Sequence, residues 1–188
     1  TWLSPIEVRS LIVASLFHDA WHNWTADLLD EFISLDLFYK TFPQIQEKNP
    51  SFVIDYEIVR HSIMWSVFKN RSKNTNLYAQ ILADLDIWSI WDDIASFFYY
   101  ASLYALELNV EPDEYYTKSE VWYFKYLMSV NKYVIISDYV KDILPNALKN
   151  IKKYFNISLD TKIEMFEVLL KEDITLSEFK ERFKHVLF

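Results

Sequence analysis

The sequence has 188 residues, 52% of them apolar, and a formal net charge of −8. That apolar content excludes disorder as the main state, and the charge argues against a protein whose first task is coating nucleic-acid phosphates or anionic lipid. With no cysteine, a disulfide scaffold, a thiolate zinc site and a thiol nucleophile are all excluded.

In chain order, Ser4, Pro5 and Glu7 form a capping box with proline at the first helical position, and Ile6, Leu11, Ile12, Leu16 and Phe17 follow at helical spacing. This predicts a helix of about four turns that ends near His18 to His22. Leu28 to Phe42 and Ser51 to Phe68 read as amphipathic helices, and Leu77 to Leu108 as a long helical stretch broken near Trp88 to Asp93. Start signals return at Thr117 to Glu120, Thr161 to Glu164 and Thr175 to Glu178. VNKYVIIS at 130–137 is β-rich in composition but sits among helical periods, and reads as helix. Pro145 should kink its helix or open a new one. Breaks are expected at Lys48 to Pro50, Lys69 to Asn76, Asn109 to Glu114 and Asn156 to Asp160.

The expected fold is therefore all-α. Residues 1–156 read as one helical domain, and 157–188 as a C-terminal helical extension packed on it. No apolar run reaches membrane-spanning length, and TWLSPIEVRS lacks the basic flank and apolar stretch of a signal peptide, so a cytoplasmic protein is expected. The aromatic stretches FFYYASLYAL and DEYYTKSEVWYFKYL read first as bundle core, with a partner surface as the alternative.

The composition is unusual in two ways. Average usage of about 7% would give on the order of a dozen glycines, yet there are none, while tryptophan occurs seven times. Trp21 and Trp24 in HDAWHNWT, and Trp88 and Trp91 in DIWSIWDD, stand in polar surroundings where chains often turn. Without glycine there is no Gly-rich phosphate loop.

Chemistry is left to Ser, His and carboxylates, and these cluster. His18 and His22 are four apart, on one face if the helix continues, with Asp19 beside them. Two imidazoles and a carboxylate suit a divalent transition metal. Asp84 and Asp86 lie among Ile81, Leu82, Ala83, Leu85 and Ile87, so at least one of them should meet water, a cation or a metal. His61 follows Arg60 on a predicted helix. Each has a bland counterpart: a hydrogen-bonded helix histidine, or a capping aspartate.

VASLFHDAWH, followed by ILADLDIW, resembles the HD-domain metal-dependent phosphohydrolases, over residues 5 to about 155. The family's apolar helix ends in His-Asp, a small residue, Gly, then His or Lys; Trp21 stands at the Gly. Asp84, in Ala-Asp-Leu, matches the family's downstream aspartate better than Asp86 does. His61 lies where some members carry a further histidine.

The resemblance implies an HD-type bundle that hydrolyses a nucleotide or related small phosphate ester. It implies His18, Asp19, Asp84 and His61 as ligands of one or two ions of Mn, Fe, Co, Ni or Zn. Asp19, His22 and His61 are implied as catalytic residues. Arg60, Lys69 and Arg71 are candidate phosphate clamps, with an ordinary solvated basic loop as the alternative for the last two. The family takes its first histidine from a helix upstream, and no histidine precedes His18 in this sequence. The other open readings are a catalytically degenerate HD-fold binding module and an unrelated helical bundle; a homo-oligomer is open in each case.

Overall fold

The computed structural model describes residues 3–21, 29–66, 75–90, 92–107, 111–119, 137–138 and 141–187. Every regular element among them is helical, in agreement with the all-α expectation. No helix among them is long and apolar enough to cross a membrane. They form two compact units, one of residues up to 86 with 137 and 138, and one of residues 87–119 and 141–187.

The first unit begins with α1 (Pro5–Phe17), whose Ser4 cap forms as expected: the Ser4 hydroxyl accepts from the Glu7 N–H, and the Glu7 carboxylate accepts from the Ser4 N–H. α2 (Leu29–Lys48) runs past Pro43, which is exposed, so water can take up the hydrogen bond that proline interrupts. α3 (Tyr56–Trp65) starts five residues later than expected because Asp55 caps it, accepting from the N–H groups of Glu57 and Ile58. Ser10 of α1 takes up the Asp55 N–H at 2.8 Å, and the Arg9 Nε donates to the Val53 carbonyl at 2.9 Å. These bonds fix the entry of α3 against α1. α4 (Leu77–Asp86) completes the unit.

The core between these helices is Val13, Ala14, Phe38, Phe42, Ile54, Val59, Ile63 and Leu82. Phe38 is its centre, with ring contacts to Phe17, Phe42 and Tyr56 at 5.5, 5.4 and 5.3 Å. The Phe17 pair is edge-on and the other two are tilted, contacts that add to the burial of the rings.

The second unit opens with a 3-10 turn at Trp88–Ile90, the break expected from the sequence, and continues into α5 (Ile94–Glu107). Asp93 caps α5 through the N–H groups of Ala95 and Ser96. A short α6 (Pro112–Glu114) leads into a π turn at Tyr115–Ser119. The Thr117 hydroxyl donates back to the Asp113 carbonyl, and Glu120, the other half of the expected start signal, lies outside the described residues. Pro145 opens a new helix, α7 (Leu144–Asn156). The cap of α8 (Leu159–Lys171) is Ser158, three residues before the expected Thr161, because Ser158 has the extended backbone a cap needs and accepts from the Thr161 N–H. α9 (Leu176–Arg182) carries the expected Thr175–Glu178 capping box, and α10 (Lys184–Leu187) ends the unit. Residues 159–187, most of the 157–188 stretch expected to pack as an extension on the 1–156 domain, lie in the second unit.

Part of the aromatic-rich stretches is core, as preferred. Phe97, Phe98, Tyr115 and Tyr116 are buried, and Phe98 stacks on Tyr116 and Phe179 at 6.0 and 6.1 Å. The 130–136 part of VNKYVIIS lies outside the described residues.

Candidate metal centre

Helix α1 ends where its apolar run ends, and His18 is the C-cap, its N–H still donating to the Ala14 carbonyl at 2.8 Å. The ring turns back on its own helix. Nδ1 lies 2.9 Å from the Ser15 carbonyl, which can only accept, so Nδ1 carries the proton and donates. This fixes Nε2 as the outward-facing nitrogen.

Nε2 meets two carboxylates: Asp19 Oδ2 at 3.1 Å and Asp86 Oδ1 at 3.0 Å. One ligand atom from each of the three residues lies within 4.8 Å of the other two. The His18 side chain is 15% exposed, while Asp19 and Asp86 are 60% and 45% exposed. The ring is thus seated in protein, and the carboxylates open to solvent. Burial pulls the imidazole pKa down, but the hydrogen bonds and charges of Asp19 and Asp86 outweigh it and raise the group to about 10.

Helix geometry decides which aspartate of α4 arrives here. Residues two apart on a helix point about 200° apart, so Asp84 and Asp86 cannot face the same way. Asp84 is fully buried, and its Oδ2 accepts from the Ser137 N–H at 2.7 Å. Asp86, at the exposed end of the helix, is the carboxylate that reaches His18. Asp84, expected with His18 and Asp19, is not in the donor group that converges here among the described residues. Glu7 and Tyr78 tie the other ends of the same helices, Tyr78 Oη donating to Glu7 Oε1 at 2.5 Å. Tied Glu7 to Tyr78 near their starts and His18 to Asp86 near their ends, α1 and α4 run in the same direction.

A comparison with protein-family models, curated proteins and solved structures finds no match for the chain.

His61 faces a different partner. Its Nε2 lies 2.7 Å from Arg60 Nη2, and a guanidinium can only donate, so the ring nitrogen accepts. The same Arg60 donates through Nε and Nη2 to Glu57 Oε2 at 3.0 and 2.6 Å. His61 is therefore not in the converging donor group, which among the described residues is His18, Asp19 and Asp86. Arg60, expected as a phosphate clamp, is engaged by Glu57 and His61. His22, Lys69 and Arg71 lie outside the described residues.

Among the described residues, His18, Asp19 and Asp86 are the group that could hold a divalent metal. Metal–nitrogen and metal–oxygen bonds of about 2.0–2.2 Å place neighbouring ligand atoms roughly 3–3.5 Å apart, which is the spacing of His18 Nε2 from each carboxylate. One imidazole and two carboxylates suit Mn, Fe, Co, Ni or Zn better than a soft ion. The Ser15 carbonyl supplies the outer partner such a histidine ligand usually has.

Proposed function

We propose that the chain is a metal-dependent phosphohydrolase of the HD type, acting on a nucleotide or related small phosphate ester, with His18, Asp19 and Asp86 as its hold on the metal. The observation that carries this reading is the convergence of His18 Nε2 with two carboxylates from separate segments at 3.0 and 3.1 Å. The His-Asp order and the downstream aspartate are what the family resemblance leads one to expect, with Asp86 in place of Asp84.

A divalent transition ion, when bound, brings the ionisation of water toward neutral pH and screens the charge of a phosphate ester. The chain's own part is to prepare the place. The Ser15 carbonyl holds the Nδ1 proton, so that Nε2 is the nitrogen that would give up its proton and turn its lone pair to an ion. Asp19 and Asp86 contribute two negative charges that offset those of a divalent cation. Their exposure leaves the cluster open to solvent and to a small anionic substrate.

The test is phosphate release from nucleoside mono-, di- and triphosphates and from simple aryl phosphates, with each of the five metals supplied in turn. Release that falls at least a hundredfold in Asp86→Asn supports the reading. No release with any metal, or release unchanged in that variant, contradicts it.

A second reading is favoured by the raised pKa of His18. A protonated His18 between Asp19 and Asp86 is an ion-paired clasp between α1 and α4, as a helical binding module with no catalysis would use. A melting temperature unmoved by all five metals selects this second reading.

A further inference from the structure

The His18–Asp19 pair lies between two attachments to a single helix. Just before it, Phe17 packs edge-on against Phe38 of α2, centroids 5.5 Å apart at 73°. Just after it, the backbone of Trp21 meets Ser34, one turn earlier on the same helix. The Trp21 N–H donates to Ser34 Oγ at 3.1 Å, and the Ser34 hydroxyl donates to the Trp21 carbonyl at 3.3 Å. Ser34 is fully buried, so no water competes for that hydroxyl. One side chain thus satisfies both backbone groups of one residue.

This pair of hydrogen bonds matters because residues 18–21 are turn and bend, not helix. Their path is set by the Ala20 N–H, which donates to the Phe17 carbonyl at 3.1 Å, and by the Ser34 clasp. Asp19 is 60% exposed, so packing does little to place it. The backbone path therefore has a large part in where its carboxylate lies.

We propose that Ser34 is a positioning residue for the candidate metal centre: by holding Trp21 to α2 it sets the backbone path that keeps the Asp19 carboxylate beside His18 Nε2. This rests on reading His18, Asp19 and Asp86 as metal ligands. Ser34 acts through the backbone and touches neither ligand side chain. Phe38 anchors the helical side of the pair, and Ser34 anchors the turn side. Partners bonded directly to metal ligands are typically worth about 10–100-fold in metal affinity, and Ser34, acting one step further out, is expected at the lower end of that range.

The experiment compares wild type, Ser34→Ala and Ser34→Thr, each first shown to unfold cooperatively. Metal-free protein is followed by the His18 imidazole resonances and by amide exchange at Trp21; Co²⁺ is then titrated and its visible absorption recorded. In Ser34→Ala, Trp21 exchange should rise at least tenfold, the His18 resonances should move, and Co²⁺ affinity should fall about tenfold with a changed spectrum. Ser34→Thr, which keeps the hydroxyl, should restore all four. Should Ser34→Ala not fold, Ser34→Cys replaces it with the same expected direction. Wild-type exchange, resonances and affinity in the folded variant overturn the proposal. If wild type itself binds no Co²⁺, the metal-site reading fails, and the metal-free readouts at Trp21 and His18 still decide the positioning role.

Discussion

His18 Nε2 and Asp86 Oδ1 lie 3.0 Å apart across 68 residues of sequence, joining the end of α1 to the end of α4. With Tyr78 bonded to Glu7 near the starts of the same helices, the pair fixes the register in which the two run side by side. The candidate centre is thus a consequence of how α1 and α4 pack, and its chemistry can be tested apart from its stability.

In metal-free protein His18 should titrate at about pH 10, since the hydrogen bonds and charges of Asp19 and Asp86 outweigh the opposing effect of burial. A folded pKa above the unfolded value of about 6.5 means that the stabilisation is complete below about pH 6.5 and is lost as pH rises through 10. Imidazole resonances followed from pH 6 to 11, with urea unfolding at the same values, check both statements. A His18 that titrates near 6.5 contradicts them.

The two aspartates of α4 should separate cleanly. Asp84→Ala leaves the buried Ser137 N–H without its acceptor and should cost about 2–3 kcal/mol in urea unfolding, as for buried hydrogen bonds to charged groups. Asp86→Ala removes one of the two carboxylates that hold the His18 proton, so its cost should shrink as pH rises through about 10, while the Asp84→Ala cost should persist there. Losses that vary alike with pH would contradict the assignment of Asp84 to structure and Asp86 to the centre.

Asp93 gives an acid-side prediction in the second unit. Burial raises its pKa, but Lys180 Nζ at 2.5 Å and the Ser96 hydrogen bonds outweigh this, so the carboxyl lies below its ordinary value. A lowered folded pKa gives stability that is present above about pH 4 and is lost as pH falls through the folded value. Asp93→Asn should flatten that acid limb while keeping part of the α5 cap. An unchanged acid limb in urea unfolding between pH 2 and 5 contradicts the assignment.

Phe38→Ala should be among the most costly single changes in the first unit, about 3–5 kcal/mol, because the ring is fully buried among Phe17, Phe42 and Tyr56. Chemical denaturation measures it directly, and a loss below about 1 kcal/mol would contradict its central place.

Much of the helical plan was legible in the sequence because its signals are local. The Ser4–Glu7 and Thr175–Glu178 boxes, the break at Trp88–Ile90 and the opening of a helix at Pro145 depend on residues within one turn of each other. The exchange of Thr161 for Ser158 as a cap shows the limit even there, since both hydroxyls are spaced to serve and only the backbone angles decide. His18 and Asp19 were legible as a cluster for the same local reason. Asp86 over Asp84 was not, because it turns on which carboxylate finds the Ser137 N–H, 53 residues away. His61 stood at a plausible spacing, but its neighbour Arg60 claims the ring. Ser34 carried no signal at all: a serine inside an amphipathic helix shows its role only when Trp21 is seen against it.

The central claim is most directly tested by metal content, measured by elemental analysis on protein purified without chelator, for wild type, Asp86→Ala, Asp84→Ala and a His18→Ala, Asp19→Ala double variant. The account predicts near-stoichiometric Mn, Fe, Co, Ni or Zn in wild type and in folded Asp84→Ala, and its loss in Asp86→Ala and in the double variant. A folded wild type with no metal, or metal retained in Asp86→Ala and lost in Asp84→Ala, would contradict it.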